Sequence, residues 1–278
     1  MRESKLQATR GIVRADEGFR RFVLERYEPD AALAPFVEHY WLVRWDLREQ
    51  PDFHQHILSY PSVQWVFEND WTGTGSWVYG VPTPSYTRHL KGFGQSFGAK
   101  FRPGGFYPYW KQDLAPLTGS RIGGAAAFGE DGAAVEEGFW ELPDDEARAR
   151  RIESFLLRRL PEKDEQAELA ERIVRSMIDD REIVRTQDVA EAFGLGVRTL
   201  QRLFSRYIGV SPKWVLRRFR LQEAAERLEK GELGAGPAGW AEFAQQLGYY
   251  DQAHFIKDFK ALLGRSPEDY ARKSRGEG

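Results

Sequence analysis

One pattern is written twice between Val189 and Tyr270. The first copy is Val189-Ala190-Glu191-Ala192-Phe193-Gly194, a turn, then Arg198-Thr199-Leu200-Gln201-Arg202-Leu203-Phe204. The second is Phe243-Ala244-Gln245-Gln246-Leu247-Gly248, a turn, then Gln252-Ala253-His254-Phe255-Ile256-Lys257-Asp258-Phe259. Each copy closes on Gly-x-Ser-Pro, at Gly209–Pro212 and at Gly264–Pro267. A short helix stopped by glycine, followed by a second helix with an apolar stripe, is a helix-turn-helix. Two such units on one chain can enter two major-groove segments without a partner.

The residue types suit that geometry. Val189, Ala190 and Phe193, then Phe243, Ala244 and Leu247, provide a small apolar face on each first helix. Leu200, Leu203 and Phe204, then Phe255, Ile256 and Phe259, provide the buried face of each second helix. The residues left facing outward are Arg198, Thr199, Gln201, Arg202 and Arg206 in the first unit, and Gln252, Ala253, His254 and Lys257 in the second. Arg pairs with guanine O6/N7 and Gln with adenine N6/N7, while alanine can touch a thymine methyl. Thr186 is the expected cap of the helix holding Val189, and Asp251 that of the second reading helix. Ser211-Pro212 and Ser266-Pro267 each read as an N-cap followed by proline at the first helical position. Pro212 to about Glu229 is a long spacer helix, and the glycine-rich run Glu229–Gly239 a loop.

The net charge of −2 looks wrong for a nucleic-acid partner, but it is unevenly placed. Residues 196–227 carry 8 Lys+Arg against 2 Glu, a local +6. Phosphate contact depends on that local density rather than on the whole-chain balance.

Residues 165–273 resemble the DNA-binding domain of the AraC/XylS family of transcription regulators. The residues that carry the likeness are Ala190, Leu200-Gln201-Arg202-Leu203-Phe204, Gly209-x-Ser211-Pro212, Arg220-Leu221-x-x-Ala224 and Ala244-x-x-Leu247-Gly248-Tyr249. Asp251-Gln252-Ala253-His254-Phe255-x-x-x-Phe259-Lys260 and Gly264-x-Ser266-Pro267-x-x-Tyr270 complete it. The resemblance implies base contacts from Arg198 and Arg202, and from Gln252, Ala253, His254 and Lys257. Gly196 departs from the serine usual at that cap, and the loop before Trp240 is longer than usual.

Ahead of this domain the pattern changes. Tyr40–Trp45, Val63–Phe67 and Trp77–Tyr79 alternate in short runs between Gly and Pro signals, which predicts a small β-barrel or sandwich. A helix is expected over Ala31–Glu38 on the way in. The stretch more loosely resembles the cupin-like β-barrel domains that accompany the AraC/XylS DNA-binding domain. That likeness implies a ligand-sensing or dimerising role. The expected fold class is therefore α+β with two domains. A cupin-like barrel occupies residues 1–143, a helix and linker residues 144–164, and an all-α double helix-turn-helix domain residues 165–278.

In the helix Asp144–Leu160, Ala147, Ile152, Phe155, Leu156 and Leu160 form one stripe, with Arg148 off it. That stripe serves either a dimer contact or packing on its own barrel. The aromatics of the first domain, among them Trp41, Trp65, Tyr79 and Phe101, either line a ligand pocket or fill the core. In the pocket reading, His89 and Arg102 orient a polar group of the ligand. His54-Gln55-His56 places two imidazoles on one strand face, but the carboxylate of a cupin metal site is missing at 59–61, so no metal and no cofactor are expected.

No Ser-His-Asp arrangement, phosphate loop or paired-carboxylate signature is present, so an enzyme is not expected. With zero Cys there is no disulfide framework. With no long apolar run and no secretory leader, a cytoplasmic chain away from membranes is expected. The expected partners are double-stranded DNA, a small-molecule effector, a second copy of the chain and, for an activator, RNA polymerase. Two rival readings stay open: a cupin metalloenzyme fused to a DNA-binding module, and a ligand-independent dimeric DNA binder.

Overall fold

The computed structural model describes residues 18–83, 86–231 and 237–274. The leader expectation at Met1–Lys5 and the centre of the glycine-rich loop lie outside these residues. The chain forms two compact units, residues 1–171 with 203–210 and residues 172–202 with 211–278.

The first unit is built on strands β1 (Phe22–Tyr27), β2 (Val37–Leu47), β3 (Phe53–Ile57), β4 (Gln64–Asp70), β5 (Gly73–Tyr79), β6 (Tyr86–Leu90), β7 (Gly92–Phe101) and β8 (Arg121–Gly123). Six of them form one antiparallel sheet in the order β1-β2-β7-β4-β5-β8, and β3 pairs with β6. The expected strands are present, but the sheet is open, with β1 and β8 at its edges.

Register explains the core. Tyr40, Ala99, Trp65 and Val78 lie opposite one another across β2, β7, β4 and β5. Leu42, Phe97 and Phe67 form the next row. Strand side chains alternate between faces, so both rows point the same way. Helices cover that face: α1 (Tyr107–Trp110), α2 (Gly124–Phe128), α3 (Glu130–Glu136) and α4 (Asp145–Arg158). The Trp65 ring lies 4.7 Å from that of Phe128 and 5.1 Å from that of Phe155. Phe67 stacks on Phe139 at 4.0 Å, and Phe101 meets Phe106 at 5.0 Å. The face that would line a barrel lumen is thus filled with aromatic rings. On the opposite face Phe22, Trp45, Leu47 and Leu90 form a second buried cluster.

Three local expectations are corrected here. Residues 31–36 make isolated turns rather than a helix, and Val37 already begins β2. Pro35 offers no amide hydrogen and drives Ala34 away from helical backbone angles. Arg148 is buried, donating to the carbonyls of Trp140 at 3.2 Å and Leu142 at 3.0 Å. The α4 stripe packs inward, with Ile152, Phe155 and Leu156 buried, while Leu160 lies beyond the helix and is exposed. That is the packing alternative for this helix.

The remaining helices are α5 (Glu165–Asp179), α6 (Thr186–Ala192), α7 (Val197–Tyr207), α8 (Pro212–Glu229), α9 (Pro237–Gln246), α10 (Gln252–Leu263) and α11 (Pro267–Ser274). The cap of α6 is one residue earlier than expected: Arg185 stands at the N-cap, and Asp188 accepts its backbone N–H at 2.7 Å. The other caps fall where the sequence puts them. Ser211 accepts from the Trp214 N–H at 3.2 Å, Asp251 from the His254 N–H at 2.8 Å and Ser266 from the Asp269 N–H at 3.1 Å. The Gly196 carbonyl accepts from the Leu200 N–H at 3.0 Å, so glycine serves at the start of α7. Among the described residues no helix is long and apolar enough to cross a membrane.

Candidate nucleic-acid interface

Each reading helix is entered through a left-handed glycine. Gly194 ends α6 with φ +63°, and Gly248 ends α9 with φ +79°. That geometry suits glycine and turns the chain sharply toward the second helix. Val189, Ala190, Leu200, Leu203 and Phe204 are buried in the first unit of the repeat; Phe243, Ala244, Leu247, Phe255 and Phe259 are buried in the second. Phe193 and Ile256 are only half-buried.

The opposite faces are open. Arg198, Thr199, Gln201 and Arg202 on α7 are exposed, as are Ala253, His254 and Lys257 on α10, with Gln252 half-buried. The second compact unit contains all eight of these residues. Arg206 is exposed too, but its guanidinium is occupied. Its Nε donates to the Tyr107 hydroxyl at 2.6 Å and lies 3.6 Å from Asp113. Its carbonyl accepts from the Leu114 N–H at 3.0 Å, and Tyr207 packs on Tyr107 at 4.1 Å. The expected base-facing role of Arg206 therefore does not match its contacts, all of which lie within the first compact unit.

The +6 stretch is likewise reduced. Arg218 and Arg220 are buried. Arg220 donates to the carbonyls of Asp180 and Ile183, both at 2.6 Å, and so closes the end of α5. Arg217 pairs with Asp258 at 3.2 Å. Arg198, Arg202 and Lys213 remain exposed, with no ion-pair partner among the described residues. Lys257 and Lys260 on α10 and Lys230 after α8 are exposed as well.

Sequence reasoning passed over Asp258, which is 5% exposed on α10. Its Oδ2 lies 3.2 Å from Arg217 Nε and 3.3 Å from His254 Nε2. The signal was present: an acid at an inward position, four residues after His254.

The expected ligand-binding residues do not converge. Trp65 and Phe101 are core. Trp41 Nε1 donates to Gln64 at 2.9 Å. The Tyr79 hydroxyl donates to Glu68 at 3.1 Å and accepts from Arg121 at 2.7 Å. Arg102 donates to the Ala34 carbonyl at 2.6 Å and to Glu171 at 3.0 Å. His89 does lie opposite His54 in the β3–β6 register, as the sequence alone could not show. Their rings stack at 4.5 Å, and His89 Nε2 lies 2.9 Å from Asp52 while His56 Nδ1 lies 3.0 Å from the Thr87 hydroxyl. Among the described residues no group of three or more His, Cys, Asp or Glu could hold a metal ion.

Residues 189–273 match a family described as a helix-turn-helix domain. The chain is 36% identical over 81 residues to the HTH-type transcriptional activator RhaS of Escherichia coli, covering 29% of this chain and 27% of RhaS. The C-terminal helices are thus similar to those of HTH-type transcription regulators. An uncharacterized HTH-type transcriptional regulator of Haemophilus influenzae is 34% identical over 88 residues, 32% of this chain and 28% of that protein. This chain thus spans about a quarter of the length of the curated relatives it matches.

Residues 25–123 match a domain of unknown function, DUF6597. Among solved structures, the C-terminal domain of AraT, a response regulator from Geobacillus stearothermophilus, is 28% identical at a TM-score of 0.30. It covers 36% of this chain and 84% of that one. ToxT from Vibrio cholerae is 13% identical at a TM-score of 0.37, covering 92% of this chain and 99% of that one. The matched helix-turn-helix stretch contains both α7 and α10 with their exposed polar faces.

Proposed function

We propose that this chain is a sequence-specific, DNA-binding transcription regulator that reads two successive major-groove segments through α7 and α10. One observation carries the reading: α7 and α10 are each buried on one face and polar on the other, with Arg198, Arg202 and Lys257 exposed and without an ion-pair partner among the described residues. Arg198 and Arg202 are the base readers of the first segment, with Thr199 and Gln201 beside them. Gln252, Ala253 and His254 read the second, and Lys257 and Lys213 hold phosphate. Helix α8 has 18 residues, about 27 Å at 1.5 Å per residue, against roughly 34–36 Å for one turn of DNA. The first segment, with two arginines, carries most of the affinity, and the second tolerates more sequences.

The domain division at 143/144 and 164/165 belongs to the same reading, as do a second copy of the chain as partner and a cytoplasmic site of action. So does control by a small-molecule effector. This reading puts the effector outside the barrel interior, because the sheet face is filled with aromatic rings. The better place is a cavity of about 260 Å³ lined by Phe36, Pro103, Leu160 and Pro161, with Lys163 and Glu168 among its polar groups.

Electrophoretic mobility shifts against fragmented genomic DNA test the main reading. Retarded fragments that share a two-part sequence support it, and equal retardation of all fragments at every salt concentration overturns it.

A further inference from the structure

The carboxylate of Asp258 joins parts of the helix-turn-helix domain that must keep a fixed relation. Asp258 sits on α10 at 5% exposure. Arg217, which pairs with it at 3.2 Å, belongs to the spacer helix α8. His254, at 3.3 Å, stands on the reading face of α10, one turn before it. Tyr249, in the turn between α9 and α10, is also buried, and its ring meets that of His254 at 5.4 Å. Burial, and next the Asp258 charge, push the Tyr249 phenol well above its usual range.

A buried carboxylate is costly unless paired, and removing one partner strands the other. The ion pair therefore favours one rotation of α10 about its axis and one seat of α10 on α8. Successive helical residues are 100° apart around the axis, so a small rotation changes which side chains face the groove. The Asp258 contact also limits where the half-exposed His254 ring can point.

We propose that Asp258 is the positioning residue of the second reading helix, registering α10 against α8 through Arg217 and orienting His254, so that the protein accepts one spacing between its two DNA segments. The inference rests on the DNA-reading function proposed above.

The test uses the full chain and duplexes that the wild-type protein selects from a randomised library. In the selected duplex the two segments are then moved apart or together by one and two base pairs. Each base pair turns the second segment by about 35°. Anisotropy titration should show the wild-type affinity falling about tenfold for a one-base-pair change. Asp258→Asn and Arg217→Gln should bind the parent duplex several-fold more weakly and lose less than about threefold on the same change. Arg217→Lys, which keeps the cation, should restore the sharp optimum.

Uniformly weaker binding with the wild-type spacing profile in Asp258→Asn and Arg217→Gln would overturn the inference. It would leave Asp258 a stabilising residue only. If Asp258→Asn fails to fold, Arg217→Gln decides, because that side chain is 46% exposed. If the wild-type chain selects no duplex, the DNA-reading function itself falls, and the inference with it.

Discussion

At Arg202 the guanidinium is exposed on α7 with no ion-pair partner among the described residues, which leaves it open to the proposed guanine edge. Arg202→Ala should weaken binding to a selected duplex by about 1–3 kcal/mol and relax preference at one base pair. A competition assay with single-base variants of that duplex measures both effects. Arg206 differs, because its guanidinium is held by Tyr107 and Asp113. Gly248 illustrates a backbone limit. At φ +79°, a Cβ there would also stand 3.0 Å from the Val184 Cβ. Gly248→Ala should cost about 1–2 kcal/mol, read as a lower denaturant midpoint with unchanged slope.

At the scale of elements, both reading helices depend on how they start. Asp251 caps α10 through the His254 N–H at 2.8 Å, which fixes the first turn, where Gln252 and Ala253 sit. Asp251→Ala should destabilise the domain by about 1 kcal/mol. Footprinting should then show protection of the second segment weakening before that of the first. Helix α8 is the counterpart: it is buried along much of its length, and its arginines act inside the fold. Arg220 closes α5, and Arg217 reaches Asp258. A charge count over the sequence therefore overstates the cations available to phosphate.

At the scale of the whole molecule, that reduced inventory sets the salt response. With Arg198, Arg202, Lys213 and Lys257 as the cations proposed to meet the duplex, log affinity against log salt should fall with a slope of about −4. A slope near −8 would mean that paired arginines are released on binding.

The sheet unit has its own pH response. His39 on β2 has Nδ1 3.6 Å from Glu38, but Lys100 engages that carboxylate at 3.0 Å. Burial, then the charges of Lys100, Arg26 and Arg102, push the imidazole down to about 3. Below an unfolded value of about 6.5 the unfolded chain takes up a proton that the folded chain refuses. This contribution is therefore complete above about pH 6.5 and is lost toward pH 3, by at most about 1.4 kcal/mol per pH unit. Urea titrations at pH 7 and pH 5 should show the loss, and His39→Gln should flatten it.

Local rules carried the sequence far. The glycine stops, the Ser-Pro and Asp caps and the alternating strands all depend on neighbours within about four residues, and they stand where the sequence places them. The doubled reading unit and its outward face were legible for that reason. What a charge or a ring does depends instead on distant partners and on exclusion of water. Tertiary structure alone sends Arg148, Arg218 and Arg220 inside, ties Arg206 to Tyr107 across 99 residues and seats Asp258 beside Arg217. It also packs Trp65 and Phe67 against Phe128 and Phe139, which enter 60 or more residues later, filling the face that a barrel would have left open.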